Sequence, residues 1–403
     1  MSKLTARRPS PVIKRATAKR TTTNTAAILK ALTFEANHHG LDQISASAVA
    51  TRADLTTGAI YSRYEHTDEM LVALWQKVIA SELADHLYET VSYITSEQTT
   101  ELNSKTAEQI DSPSQILRLG VEFLIVARRN DTVGEIVIPQ VTNWLQEFGL
   151  RRASTPLQCA GVALGASTAI GAVLRSFVTT TNPGLSILLP NFRNAYLSAT
   201  PSSGPPPEVH PNEIHSNTGN TVRDVLIDAT AEVMSRTGFA GATISRIARR
   251  SDLTSGSLYN IYKDKEELMN DAVRELLRTS QSVNVAAKAD AARHHRSDFG
   301  LTDSFQFGLI PDRQSWIKFR NECIVAARHH RTTRNEIRKV FSEGHDRTQA
   351  SLPNIRPTII DALSTGEQAI GLGYTTLNTY TDQFARCDFY AIMTRIAKQA
   401  NLT

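Results

Sequence analysis

Two stretches of this chain use the same residue types in the same order, and they limit its fold more than any bulk property does. Leu55-Thr56-Thr57-Gly58-Ala59-Ile60-Tyr61-Ser62-Arg63-Tyr64 recurs as Leu253-Thr254-Ser255-Gly256-Ser257-Leu258-Tyr259-Asn260-Ile261-Tyr262. Gly58 and Gly256 lie 198 positions apart, as do Tyr64 and Tyr262. Each stretch opens with a threonine suited to cap a helix and then sets two apolar-faced residues four apart, Ile60 with Tyr64 or Leu258 with Tyr262. A short helix of this kind, following a small-residue helix and a tight turn, reads as the second helix of a helix-turn-helix.

The neighbouring residues supply the remaining parts. Ala50 and Ala248 are small enough for the two helices to approach, and Leu55 and Leu253 plug the corner between them. The opposite face of the second helix carries Thr57, Ala59, Tyr61 and Ser62 in the first copy, and Ser255, Ser257, Tyr259 and Asn260 in the second. Hydroxyls and an amide suit base edges, and methyl groups suit thymine. Gly58 and Gly256 cost about 1 kcal/mol against alanine within a helix, which predicts a close backbone approach to a phosphate or a neighbouring helix. Taken singly, a tyrosine at helical spacing is ordinary core and a threonine cap is only a cap. Two copies in one order favour the reading head.

Periodicity around these elements predicts helices throughout. The first half gives helical tracts at 25–38, closed by Gly40, then a short helix capped by Ser45, and a longer one opened by Asp68 and Glu69. A polar interval at 95–114 precedes helices at 116–129, 135–148 (interrupted by Pro139), 157–178 and 191–198. The second half follows the same course, with helices at 222–236, 244–250 (capped by Thr243) and from Lys265 onward. A polar interval at 287–303 and helices at 316–329 and 357–377 complete it. Glu122 and Arg128 recur as Glu322 and Arg328, and Ala169-Ile170-Gly171 recurs as Ala369-Ile370-Gly371, all 200 positions on. No tract has strand period, so the expected fold class is all-α, as two tandem units. The boundaries are a basic disordered arm (1–21), a helix-turn-helix domain (22–75), a helical regulatory domain (76–199), a proline-rich linker (200–220), a second helix-turn-helix domain (221–275) and a second regulatory domain (276–403).

Charge is informative mainly in its distribution. The net charge of +4 over 403 residues neither requires nor excludes nucleic acid, but the first twenty residues carry Lys3, Arg7, Arg8, Lys14, Arg15, Lys19 and Arg20 and no acid. Such an arm can follow a DNA backbone or minor groove. Cys159, Cys323 and Cys387 have no paired spacing, which fits a reducing, cytoplasmic setting. The apolar run 157–177 contains Gln158, Ser167, Thr168 and Arg175, so it reads as a buried packing helix with no membrane role. The pairs His38-His39, His294-His295 and His329-His330 are adjacent, and adjacent helical residues point about 100° apart; no metal, cofactor or enzymatic motif is expected.

On these residues the chain resembles the tetracycline-repressor (TetR) family. The second copy carries Ile247-Ala248, then Thr254-Ser255-Gly256-Ser257-Leu258-Tyr259-Asn260-Ile261-Tyr262 and Lys265-Glu266-Glu267-Leu268; the first carries Val49-Ala50, Thr56 to Tyr64 and Asp68-Glu69-Met70. The resemblance implies DNA contacts from Thr243, Arg246, Thr254, Ser255, Ser257, Tyr259 and Asn260, with Lys265 on a phosphate. In the first copy it implies them from Ser45, Thr56, Thr57, Ala59, Tyr61, Ser62 and Arg63. It also implies a repressor that leaves a double-stranded DNA operator when a small-molecule effector binds, for which Phe123, Trp144, Trp316 and Phe319 are candidate pocket walls. Asp54 and Asp252 replace the usual turn glycine, and aspartate tolerates the left-handed conformation better than most residues. Ala48 and Thr67 replace Arg246 and Lys265, so the first copy is less basic. The expected assembly is a covalent pseudo-dimer within one chain, with a homodimer as the competing arrangement. The alternative function is an interaction or sensor protein that has lost DNA binding in the first copy or in both.

Overall fold

A computed structural model describes residues 11–203, 214–293, 306–351 and 356–399. Among them every regular element is helical and none is a strand, so the fold is all-α. Lys3, Arg7 and Arg8 of the basic arm, the linker prolines Pro205, Pro206, Pro207 and Pro211, and the pair His294-His295 lie outside the described residues. The chain divides into two compact units, one ending at Val78 and the other beginning at Ile79.

In the first unit, α1 (Pro11–His39) is followed by α2 (Ala46–Arg52), α3 (Thr57–Tyr61) and α4 (Thr67–Leu74). Helix α1 begins at Pro11, 14 residues before the sequence-based start, so residues 11–21 of the expected disordered arm are helical. Gly40 closes it at φ 85°, with its N–H on the Ala36 carbonyl at 3.0 Å. Ile28, Leu32, Val49, Ala50 and Ile60 are buried and hold the three helices together.

In the second unit the order is α5 (Ala80–Thr95), α6 (Ser104–Asp111), α7 (Gln115–Val126), α8 (Asp131–Glu147), α9 (Pro156–Thr179) and α10 (Leu185–Leu197). It continues with α11 (Thr221–Gly241), α12 (Ile244–Arg250), α13 (Ser255–Tyr259), α14 (Lys265–Arg293), α15 (Gln314–His329), α16 (Arg331–Ser351), α17 (Pro357–Leu377) and α18 (Phe389–Gln399). Helices α6, α16 and α18 have no counterpart in the periodicity reading. Helix α6 lies inside the polar interval, and α16 is too rich in charged and polar residues to show a clear apolar stripe. Gly238 (φ 71°) kinks α11 near its end, where the sequence reading closes it.

Helix α9 is the centre of this unit. A capping box starts it, with Thr155 Oγ1 accepting from the Gln158 amide at 3.2 Å and Gln158 Oε1 accepting from the Thr155 amide at 2.9 Å. It is long and apolar enough to cross a membrane, yet 89% of its apolar window is buried inside the protein, mainly against α5 and α17. Small residues make this possible. A Cβ on Gly165 would sit 2.8 Å from Val91 Cα of α5. One on Gly171 would sit 1.6 Å from the Ala369 carbonyl oxygen of α17, and one on Gly373 of α17 would sit 1.9 Å from the Ser167 carbonyl oxygen. The two backbones therefore touch where they cross.

Around this crossing two buried ion pairs run between the halves. Arg129 Nε lies 2.7 Å from Glu322 Oε1, and Arg328 Nη1 lies 2.5 Å from Glu122 Oε2, with His329 Nε2 3.3 Å from the same oxygen. All four charged side chains are nearly excluded from solvent. Arg128 also stacks over Tyr380 and Arg328 over Phe177, at 5.7 and 5.6 Å to the ring centroids.

His86 of α5 is buried, and desolvation pushes its pKa down to about 4 from 6.5. The folded state then binds a proton less readily than the unfolded chain, so its contribution is complete above pH 6.5 and is lost as pH falls towards 4. The shift is equivalent to about 3 kcal/mol. Denaturant midpoints at pH 7 and 4.5 are expected to converge in His86→Leu relative to the parent; an equally steep acid loss in the variant would refute this role for the histidine.

Candidate nucleic-acid interface

Both helix-turn-helix elements adopt the same local geometry. Their turn aspartates, Asp54 and Asp252, each have φ 54°, the left-handed conformation that aspartate tolerates and most residues do not. After each turn the chain returns to the first helix, with the Leu55 amide on the Ala50 carbonyl at 3.0 Å and the Leu253 amide on the Ala248 carbonyl at 3.1 Å. Thr56 Oγ1 accepts from the Ala59 amide at 3.2 Å, and Thr254 Oγ1 accepts from the Ser257 amide at 3.0 Å. Ser45 and Thr243 cap the preceding helices in the same way. Ile60 and Leu258 are fully buried, which fixes the roll of each short helix and turns its other face outward.

That outward face is the one expected from the sequence. Tyr61 and Tyr259 are 56% and 55% exposed, very large values for aromatic side chains in the absence of a partner. Thr57, Ser62, Ser255 and Asn260 are exposed beside them, while Ala59 and Ser257 are half-buried. A Cβ on Gly58 or Gly256 would meet only the cap hydroxyl, at 3.9 and 3.6 Å. Among the described residues no neighbouring helix approaches these glycines.

The cations differ sharply between the copies. In the second, Arg246 and Arg249 are exposed on α12, and Arg246 Nη1 donates to the Gly241 carbonyl at 2.8 Å. Arg249 and the exposed Lys263 were not among the sequence candidates, although their basic charge next to the motif was visible. Arg250 is tied to Glu232. Lys265 behaves differently from the expected phosphate contact: its ammonium donates to the Phe239 and Ala240 carbonyls at 2.8 and 3.2 Å and lies over the Phe239 ring, and burial lowers its pKa. It joins the start of α14 to the end of α11. In the first copy, Arg52 Nε pairs with the buried Glu35 at 2.5 Å beneath Phe34, and Arg63 Nη1 donates to the Ala59 carbonyl at 2.8 Å.

The second copy also has a firmer base. Tyr262 donates its hydroxyl to Asp271 at 2.7 Å, and Arg223 of α11 grips the same carboxylate through Nε and Nη2, both at 2.7 Å. This bidentate pair fixes α11 against α14 under the reading helix. The first copy has Thr25 and Ala73 at the corresponding places, so it lacks both partners.

The four candidate pocket residues separate. Phe123 and Phe319 are fully buried core, and Trp144 is half-buried on α8. Trp316 packs against Phe319 with the rings tilted by 47° and their centroids 5.8 Å apart, and it lines a cavity among α14, α15, α16 and α17. Among the described residues no three His, Cys, Asp or Glu side chains are placed to share a metal ion.

Comparison with known proteins falls on the same element. Residues 226–272 match the family model described as "Bacterial regulatory proteins, tetR family". Relatives include proteins named "HTH-type transcriptional regulator BetI". That of Paraburkholderia phytofirmans is 30% identical over 106 residues, 25% of this chain and 54% of the relative. That of Stenotrophomonas maltophilia is 36% identical over 69 residues, covering 17% and 35%. That of Paraburkholderia xenovorans is 26% identical over 124 residues, covering 30% and 64%. The chain thus spans between about one third and two thirds of the length of these relatives, which are transcriptional regulators by name. The second helix-turn-helix of this chain is therefore similar to that of the tetR family of bacterial regulatory proteins.

Proposed function

We propose that this chain is a sequence-specific DNA-binding transcriptional regulator, acting as a ligand-responsive repressor on a double-stranded operator. The observation that carries the reading is the free face of α13, where Tyr259, Ser255 and Asn260 stand exposed on a capped helix within the region that matches the family model. A tandem duplication supports the further reading of a covalent pseudo-dimer: the repeated motif, the shared φ of Asp54 and Asp252, and the Glu122–Arg328 and Glu322–Arg129 pairs between the halves all favour it. Tethering the two halves turns their pairing into an intramolecular step, at an effective concentration of order millimolar. Light scattering on DNA-free protein at low concentration is expected to give the mass of one chain; a purely dimeric species would replace the pseudo-dimer with a homodimer.

Ala48, Thr51 and Glu65 in the places of Arg246, Arg249 and Lys263 favour a second reading for the first copy alone, namely that it keeps the fold and contributes little DNA affinity. An operator recovered by selection from genomic fragments tests both. With Tyr259→Ala, affinity measured by fluorescence anisotropy is expected to fall by about tenfold or more, the scale of one base-reading contact. Tyr61→Ala is expected to have a smaller effect. The reverse ranking assigns the reading to the first copy, and selection of no operator at all would favour an interaction protein.

A further inference from the structure

In the second half of unit two, α14, α15, α16 and α17 surround a cavity of about 200 Å³. Trp316, Phe341 and Leu372 give it an apolar wall, and Arg320 of α15 lines it. Arg320 is a largely buried cation whose hydrogen-bond acceptors among the described residues are neutral. Its guanidinium donates to Thr375 Oγ1 and, at 3.1 Å, to Asn321 Oδ1, both neutral, while its Nε is buried without a hydrogen-bond partner among the described residues. Arg129, Arg328 and Arg223, by contrast, each meet a buried carboxylate. Desolvation pushes the Arg320 pKa down to about 10. Asn284 Oδ1, also at the cavity, is a second buried polar atom lacking a hydrogen bond. Glu367 lines the cavity as well, but it sits two helical turns from Thr375 along α17, about 12 Å by helix rise.

The first half holds no equivalent. Two hundred positions before Arg320 stands Gly120, where even a Cβ would lie 3.1 Å from Ile79 Cγ2 and 3.3 Å from Leu83 Cδ2. Two hundred positions before Gly344, which borders the cavity, stands Trp144. Where one half has side chains, the other has space and a charge.

We propose that this cavity binds one small organic carboxylate per chain, with Arg320 gripping the carboxylate and Trp316 and Leu372 covering its apolar body. A carboxylate supplies the acceptor oxygens that the guanidinium lacks and the negative charge that its enclosure calls for. The proposal rests on the ligand-responsive reading above only for its effect on DNA; binding itself is measured without DNA.

Titration calorimetry on the full chain uses benzoate and hexanoate, each against its neutral amide, benzamide or hexanamide. At least one acid is expected to bind at one site per chain, at least tenfold tighter than its amide. Arg320→Gln is expected to erase that preference, and Arg320→Lys to restore part of it. Ser364→Leu keeps the guanidinium but fills the cavity, so it is expected to lose the acid as well; it decides the matter if Arg320→Gln does not fold. Equal binding of acid and amide, an acid preference that survives Arg320→Gln, two sites per chain, or no binding by any of the four compounds would each overturn the proposal. Carboxylate binding that leaves operator affinity unchanged keeps the site and overturns ligand-driven release instead.

Discussion

Alanine in place of Gly171 or Gly373 is expected to destabilise unit two by about 3 kcal/mol or more, at the upper end of overpacking costs. The added methyl of Gly171→Ala would lie 1.6 Å from a backbone oxygen of α17, and that of Gly373→Ala 1.9 Å from a backbone oxygen of α9. A side chain can rotate away from such a clash; a carbonyl within a helix cannot, so the helices must separate. Separation then strips contacts from α9, which is buried along almost its whole length. Denaturant unfolding followed by circular dichroism measures the loss. A midpoint within about 0.5 kcal/mol of the parent, the range of an ordinary surface substitution, would mean that the helices do not cross there. Gly58→Ala is the contrasting case, because its methyl meets nothing nearer than 3.9 Å and only a helix-propensity gain is expected.

The second large effect is expected at the ion pairs between the halves. Glu122→Ala leaves Arg328 buried without its carboxylate, and Glu322→Ala does the same to Arg129; breaking such a pair from one side costs about 3–5 kcal/mol. Replacing both partners, as in Glu122→Leu with Arg328→Met, is expected to recover most of the loss, since apolar groups of similar size carry no charge to desolvate. A double-mutant cycle on denaturant midpoints separates the two outcomes. If the single and double variants lose the same amount, the pair contributes packing volume rather than charge complementarity.

Much of the helical order was legible in the sequence because it depends on local chemistry. Threonine caps, the aspartates before Leu55 and Leu253, and glycines after α1 and within α11 act on their own neighbours, so their positions announce the elements. Helices α6 and α16 were less legible, since their apolar residues are spaced among charged and polar ones and their burial comes from distant partners, whereas α18 carries a plain apolar stripe at Phe389, Ile392, Met393 and Ile396 that the periodicity reading passed over. The register of α9 against α17 is a sharper case. The recurrence of Ala169-Ile170-Gly171 as Ala369-Ile370-Gly371 suggests equivalent glycines 200 apart, yet the interlocking pair is Gly171 and Gly373. Sequence similarity records descent or composition; which glycine meets a carbonyl is set by how far one helix slides along the other.

The reading heads show the same division. The identity of the exposed face of α13 followed from Leu258 and Tyr262 at helical spacing, because burying one face of a short helix fixes the other. The partners of its cations did not follow. Lys265 stands in the motif as a phosphate ligand, but the carbonyls ending α11 lie close enough to take its ammonium. Arg52 and Arg63 count as positive charge in the sequence, yet Glu35 and the Ala59 carbonyl engage them.

By itself, then, the sequence determined an all-α chain carrying one helix-turn-helix pattern twice, since helical period, caps and turn residues are local properties. The tertiary structure decided which charges are free, where α9 and α17 touch, and that only the second of the corresponding places, Gly120 and Arg320, holds an enclosed cation beside a cavity. Each of these depends on side chains far apart in the chain arriving within a few ångströms of one another, a distance that no local pattern encodes.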